Sequence, residues 1–183
     1  MKIAVGITGA SGALYAQLLL TKLNELRNQI SEVGIVFSPT AKSVWEFELH
    51  QKPQLYGFNE FDSNNFYAPF ASGSAQYDAL IICPCSMGTM GRIAHGVSDS
   101  LITRSADVIL KERKKLILVT REMPYNLIHI KNMELVTLAG GIICPASPSF
   151  YSNPQSIEEA CNTVINRVID LIGLQSNSYK WGE

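Results

Sequence analysis

Short apolar runs alternate with longer segments of helical periodicity from one end of the chain to the other. Residues 2–7 (KIAVGI), 33–38 (VGIVFS), 79–83 (ALIIC), 116–120 (LILVT) and 142–144 (IIC) are apolar at successive positions rather than at every second one. That pattern predicts strands buried on both faces, as in a parallel sheet. A weaker strand is predicted near 54–58. Helical segments are predicted over about 13–28, where Leu14, Leu18, Leu19, Leu23 and Leu26 share a broad face, and from Pro39 through about Glu48. Further helices are predicted near 88–95, 99–113, 126–138 and 156–172. Residues 59–76, rich in Asn, Ser, Gly, Pro and aromatics, predict a long loop. Strands separated by helices require right-handed crossovers. The expected fold is therefore a three-layer, doubly wound, Rossmann/flavodoxin-like α/β domain with strand order 3-2-1-4-5-6.

Composition narrows the picture. The 183 residues suit one domain, 1–183, with about 173–183 as a C-terminal tail. A 46% hydrophobic content excludes a disordered chain. No apolar run reaches the ~18–20 residues of a membrane span. Fifteen Lys+Arg balance sixteen Asp+Glu, which leaves no electrostatic footprint for nucleic acid. Charged residues are 17%, below the ~25% usual for soluble domains, so part of the surface is expected to lie against further copies of the chain. The expectation is a homo-oligomer. Cys83, Cys85, Cys144 and Cys161 are too few and too scattered for a disulfide scaffold and read as buried reduced thiols. The glycines of residues 6–12 interrupt the apolar region that a signal peptide needs, so a cytoplasmic protein is expected.

In doubly wound sheets the ligand crevice lies beyond the carboxyl ends of the strands, at the switch point between strands 1 and 4. The first of these edges carries Thr8-Gly9-Ala10-Ser11-Gly12, and the next Ser38. The fourth strand delivers Cys83-Pro84-Cys85-Ser86-Met87-Gly88-Thr89, the fifth Thr120-Arg121-Glu122, and the sixth leads to Pro145 and Phe150-Tyr151. The first loop suits a phosphate held by backbone amides, and reads equally as a plain strand–helix turn. Arg104 and Lys111, seven residues apart, fall within ~20° of one helix face. They form either a second anion site or a salt-bridged surface shared with Asp107. Arg121-Glu122 is either an acid/base pair in a crevice or an exposed turn pair. Three histidines without ligand spacing support no metal site. The stretch Phe66 to Ser74 is either a packed loop or an apolar wall over a flat ligand.

Six motifs occur in order: Gly6-Ile7-Thr8-Gly9-Ala10-Ser11-Gly12, Ala71-Ser72-Gly73-Ser74, Cys83 to Thr89, Arg104 to Arg113, Arg121-Glu122-Met123-Pro124 and Phe150-Tyr151. Together they closely resemble the UbiX-type flavin prenyltransferases, also described as phenylacrylic acid or polyprenyl-hydroxybenzoate decarboxylases. The resemblance extends to Lys180-Trp181-Gly182-Glu183. It implies transfer of a dimethylallyl group from dimethylallyl monophosphate to nitrogen 5 and carbon 6 of reduced FMN, without a metal. The product, prenylated FMN, is a cofactor of UbiD-type decarboxylases.

Carried over to this chain, the resemblance implies that Gly9, Ala10, Ser11, Ser38, Ser86, Met87, Gly88, Thr89 and Arg121 hold FMN. Lys111, Tyr151 and Arg167 would clamp the allylic phosphate, with Arg104 nearby. Glu122 would be the main acid/base group, helped by Glu48 and by Ser11 as a proton relay. The pocket would form between subunits of a dodecamer, with Tyr151 and Arg167 from a neighbour. Two positions depart from the family pattern. Pro39 stands where many relatives carry Lys, with Lys42 as a substitute to consider, and Phe66 stands where some carry Trp. The rival readings are an FMN carrier and a cysteine-type flavin decarboxylase of the same superfamily. An NAD(P)-dependent reductase is disfavoured because Phe37-Ser38-Pro39 offers no ribose-binding carboxylate.

Overall fold

The computed structural model describes residues 1–176 and 182. Lys180, Trp181 and Glu183, and so the end of the family resemblance and most of the expected tail, lie outside the described residues. The strands are β1 (Lys2–Ile7), β2 (Glu32–Phe37), β3 (Asn59–Phe61), β4 (Ala79–Cys85), β5 (Lys115–Thr120) and β6 (Ile142–Ile143). They form one parallel sheet in the order β3-β2-β1-β4-β5-β6. The helices are α1 (Ala13–Glu25), α2 (Ala41–Leu49), α3 (Met87–Ala94), α4 (Leu101–Lys111), α5 (Leu127–Leu138) and α6 (Ile157–Ile172).

The apolar runs feed two cores because successive strand residues point to opposite faces. Ile3, Val5 and Ile7 pack with α1, Trp45 of α2 and the Val164–Ile172 stripe of α6. Ala4, Leu80 and Ile82 pack on the other face with Met90 of α3 and Ile102, Ala106 and Ile109 of α4. At Gly34 of β2 a side chain is excluded: an added Cβ would lie 2.5 Å from the Phe70 ring.

Three expectations shift. The strand sought near 54–58 is instead Asn59–Phe61, an edge strand with two of three residues exposed, so it has no buried apolar run to announce it. Pro39 precedes α2 rather than starting it. The chain stays outside the helix through Ser38 and Pro39, and Thr40 is the N-cap. The expected loop 59–76 contains that strand and two short 3₁₀ turns, Pro69–Ala71 and Gly73–Ala75.

Candidate active site

At the carboxyl ends of β1 and β4 two loops are tied together by one side chain. Thr8 is buried, its hydroxyl donates to the Pro84 carbonyl at 2.7 Å, and the same oxygen accepts the Ser86 N–H at 2.9 Å. The two glycine- and hydroxyl-bearing loops therefore stand side by side at the switch point. A third segment joins them, since Leu101 N–H donates to the Ser63 carbonyl at 2.7 Å and fixes the loop after β3 against the start of α4. The crevice between them encloses about 420 Å³, within the range of small-molecule sites.

Of the flavin-holding residues expected, Gly9, Ser38, Ser86 and Thr89 line this crevice. Gly9 is required by close approach, because a Cβ there would run into the Thr40 side chain. Ser86 caps α3, its Oγ accepting the Thr89 N–H at 3.3 Å. The Ser38 hydroxyl is buried with no partner in the protein, a donor and acceptor left for a ligand. Met87 is buried in the core against α4 and does not line the cavity. The walls also carry Asn64, Arg92, Asp99, Ser100 and Thr103, none singled out from sequence. Only the Ser100-x-x-Thr103 capping pattern signalled a helix start there.

The first loop departs from its phosphate-binding expectation. Gly12, at φ 113°, offers no side-chain cap to α1. Glu48, from α2, takes that place: its Oε2 accepts the N–H of Ala13 at 2.7 Å and of Gly12 at 2.9 Å. The anion at this helix end is the protein's own carboxylate. Burial raises the Glu48 pKa, but the Ser11 hydroxyl, the two amides and the charge of Arg121 outweigh it and hold the carboxyl below the usual glutamate range. Ser11, Glu48 and Arg121 are thus neighbours, while Arg121 is not on the crevice wall. Glu122 follows on the exposed β5–α5 loop, where its Oε1 accepts the Met123 N–H at 3.1 Å.

The phosphate-clamp residues lie elsewhere in the chain. Arg104 donates to the Ala71 carbonyl at 3.1 Å and pairs with Asp107 at 2.9 Å, the ion pair weighed from sequence. Lys111 pairs with Glu112 and lies against Gly73, in the turn that leads into β4. That turn is at the amino edge of the sheet, and β4 rises roughly 20 Å from there to the crevice. Lys111 therefore does not reach the crevice of its own chain. Arg167 lines a second cavity of about 310 Å³, with Ser147, Ser149, Ser152 and Thr163. Tyr151 is largely exposed on the loop that forms its rim. Lys42 pairs with Glu60 at 2.5 Å and lies over the Phe37 ring, so it does not replace the lysine absent at Pro39. Phe66 is partly exposed. All four cysteines are free and buried. Among the described residues, no group of three or more His, Cys, Asp and Glu side chains could hold a metal ion, and no helix is long and apolar enough to cross a membrane.

The chain is similar to known proteins along its whole length. A family described as Flavoprotein matches residues 1–173. The flavin prenyltransferase UbiX of Methanocaldococcus jannaschii is 40% identical, covering 100% of this chain and 99% of that protein. UbiX of Pseudomonas aeruginosa is 38% identical, covering 100% and 94%. Among solved structures, a dodecameric FMN-dependent UbiX-like decarboxylase from Escherichia coli O157:H7 superposes with a TM-score of 0.93 at 37% identity over 100% of both chains. AnUbiX (PadA1), in complex with FMN and dimethylallyl pyrophosphate, gives 0.89 at 37% identity over 98% of both. The peptidyl-cysteine decarboxylase EpiD, at 20% identity and a TM-score of 0.61 over 93% and 97%, shares the fold alone. Full-length identity of this order makes the chain a member of the Flavoprotein family and, within it, of the UbiX flavin prenyltransferases.

Proposed function

We propose that this chain, as one FMN-binding domain, transfers a dimethylallyl group from dimethylallyl monophosphate to nitrogen 5 and carbon 6 of reduced FMN. The observation that carries the reading is the crevice at the β1/β4 switch point, in a chain similar along its whole length to flavin prenyltransferases. The residues fit the flavin: Gly9 lines the crevice, Ser86 and Thr89 present hydroxyls, and the Ser38 hydroxyl has no partner in the protein. When bound, reduced FMN supplies the nucleophilic nitrogen and carbon.

The protein's part is to hold charge and move protons. A departing phosphate is stabilised by fixed cations and by a group that protonates it. In this reading Lys111, Arg104, Arg167 and Tyr151 grip the phosphate, and Glu122 is the acid/base group. In this reading Ser11, whose hydroxyl helps lower the Glu48 pKa, and Glu48 serve as a short proton relay at the mouth of α1. In this reading Ala10, Met87 and Gly88 contribute backbone around the flavin, Arg121 helps hold it, and the Ser11 hydroxyl, the Ala13 and Gly12 amides and, least, Arg121 keep Glu48 ionised.

Lys111 at the amino edge and Glu122 at the carboxyl edge of one sheet can meet only if different subunits supply them. The reading therefore includes a homo-oligomer with the site between subunits, a dodecamer by analogy with the UbiX-like relative. A UbiD-type decarboxylase would receive the product, and the cytoplasm, where thiols stay reduced, is the place of action we assign. The test is incubation with reduced FMN and dimethylallyl monophosphate under anaerobic conditions. Flavin that gains one C5H8 unit supports the reading. Flavin bound but unchanged would leave a carrier.

A further inference from the structure

Among the described residues lining the flavin crevice, Arg92 is the one cation and Asp99 the one anion. Arg92 stands one turn into α3, on the same helix whose first turn carries Ser86 and Thr89. Its guanidinium is held from two sides. Nε donates to the Asp99 carboxylate at 3.2 Å and Nη1 to the Gly88 carbonyl at 3.2 Å. These contacts leave Nη2 and one Nη1 hydrogen uncommitted, since a guanidinium carries five N–H donors. The side chain is about half exposed, at 51%, so it faces the cavity rather than the core.

Among the described residues around this crevice, the neighbouring charged and anion-binding positions are already committed. The start of α1 is filled by the Glu48 carboxylate, Lys42 is paired with Glu60, and Pro39 contributes no charge to the wall. What remains is a hydroxyl-lined pocket, with Ser86, Thr89 and the unpartnered Ser38, beside a pre-positioned arginine. Hydroxyls with a fixed guanidinium fork form a phosphate-binding set.

We infer that Arg92, braced by Asp99, reads the phosphate of the bound flavin and makes the crevice select FMN over riboflavin. The inference rests on the flavin reading above and deepens it. It also sets the flavin's direction: the phosphate end lies at the start of α3, and the ring end extends toward Ser11 and Glu48. Asp99 is a positioning residue, acting only through Arg92.

The test is titration of the purified chain with FMN and with riboflavin, followed by quenching of flavin fluorescence. Arg92→Gln should lower FMN affinity about tenfold or more, the range for a hydrogen bond to a charged group. Riboflavin affinity should stay within about twofold, a split that general damage to the fold would not produce. Arg92→Lys should recover part of the preference as a point charge, and Asp99→Asn should lower it less than Arg92→Gln does. An FMN-to-riboflavin affinity ratio unchanged in Arg92→Gln overturns the inference, and so does an equal loss for both ligands in Arg92→Gln and Arg92→Lys. If the unaltered chain binds neither flavin, the flavin reading itself fails, an outcome visible before any variant is made.

Discussion

Glu48 closes the amino end of α1 from 35 residues away, its Oε2 2.7 Å from the Ala13 amide. A helix normally draws that contact from its own N-cap, but Gly12 has no side chain to offer. The arrangement fixes the loop between β1 and α1 and also sets Ser11 beside an ionised carboxylate.

Glu48→Ala should cost about 1–2 kcal/mol of stability, the scale of a lost helix cap. The pH dependence follows from the depressed folded pKa. The contribution is fully present above the unfolded glutamate value of about 4.3, and is lost as pH falls below it through the lower folded value. Urea unfolding at pH 7 and pH 3 should show the wild-type advantage over Glu48→Gln shrinking at the lower pH.

Gly34→Ala should destabilise the protein by about 1–3 kcal/mol, the cost of overpacking a core. The new methyl would meet the Phe70 ring, itself held edge-on by Phe61 and Tyr77. Thermal unfolding checks this, and an unchanged midpoint would show that the ring moves aside freely.

Cys83 and Cys85 should resist alkylation in the folded chain and react once it is unfolded. Both are fully buried; burial pushes the Cys83 thiol well up and the Cys85 thiol up to about 12. Thiolate is therefore scarce at pH 8 as well as inaccessible. Mass spectrometry after iodoacetamide treatment, with and without denaturant, reads the difference.

Lys111→Ala and Gly9→Val should each abolish turnover, yet a mixture dissociated and reassembled together should regain activity that neither shows alone. This follows from the separation of Lys111 from the crevice within one chain. Absence of recovery in assemblies shown to contain both variants would count against a shared site.

The sheet order was legible because strands buried on both faces leave unbroken apolar runs, and the crevice followed from topology. The edge strand Asn59–Phe61 was not, because an exposed three-residue strand carries no such run. The site was legible in parts. Gly9, Ser38, Ser86 and Thr89 sit at strand ends, where sequence position predicts spatial position. Asn64, Arg92 and Asp99 reach the same cavity through loop folding and one helical turn, which no local pattern encodes. Glu48 was singled out by family resemblance, but its grip on α1 depends on how two helices pack. Lys111 shows the limit most plainly, since seven-residue spacing aligned it with Arg104 on one helix face without revealing which edge of the sheet that helix reaches.

Glu122→Gln should bind FMN with unaltered affinity and lose about 10²–10⁴-fold in turnover, the usual contribution of a general acid/base. Full activity in that variant would remove Glu122 from the chemistry.

The central claim is tested most directly by the mass of the flavin released after anaerobic reaction of the purified protein with reduced FMN and dimethylallyl monophosphate. The account predicts FMN heavier by one C5H8 unit, formed in proportion to enzyme turnover. Recovery of unmodified FMN alone, from protein shown to bind both compounds, would contradict it.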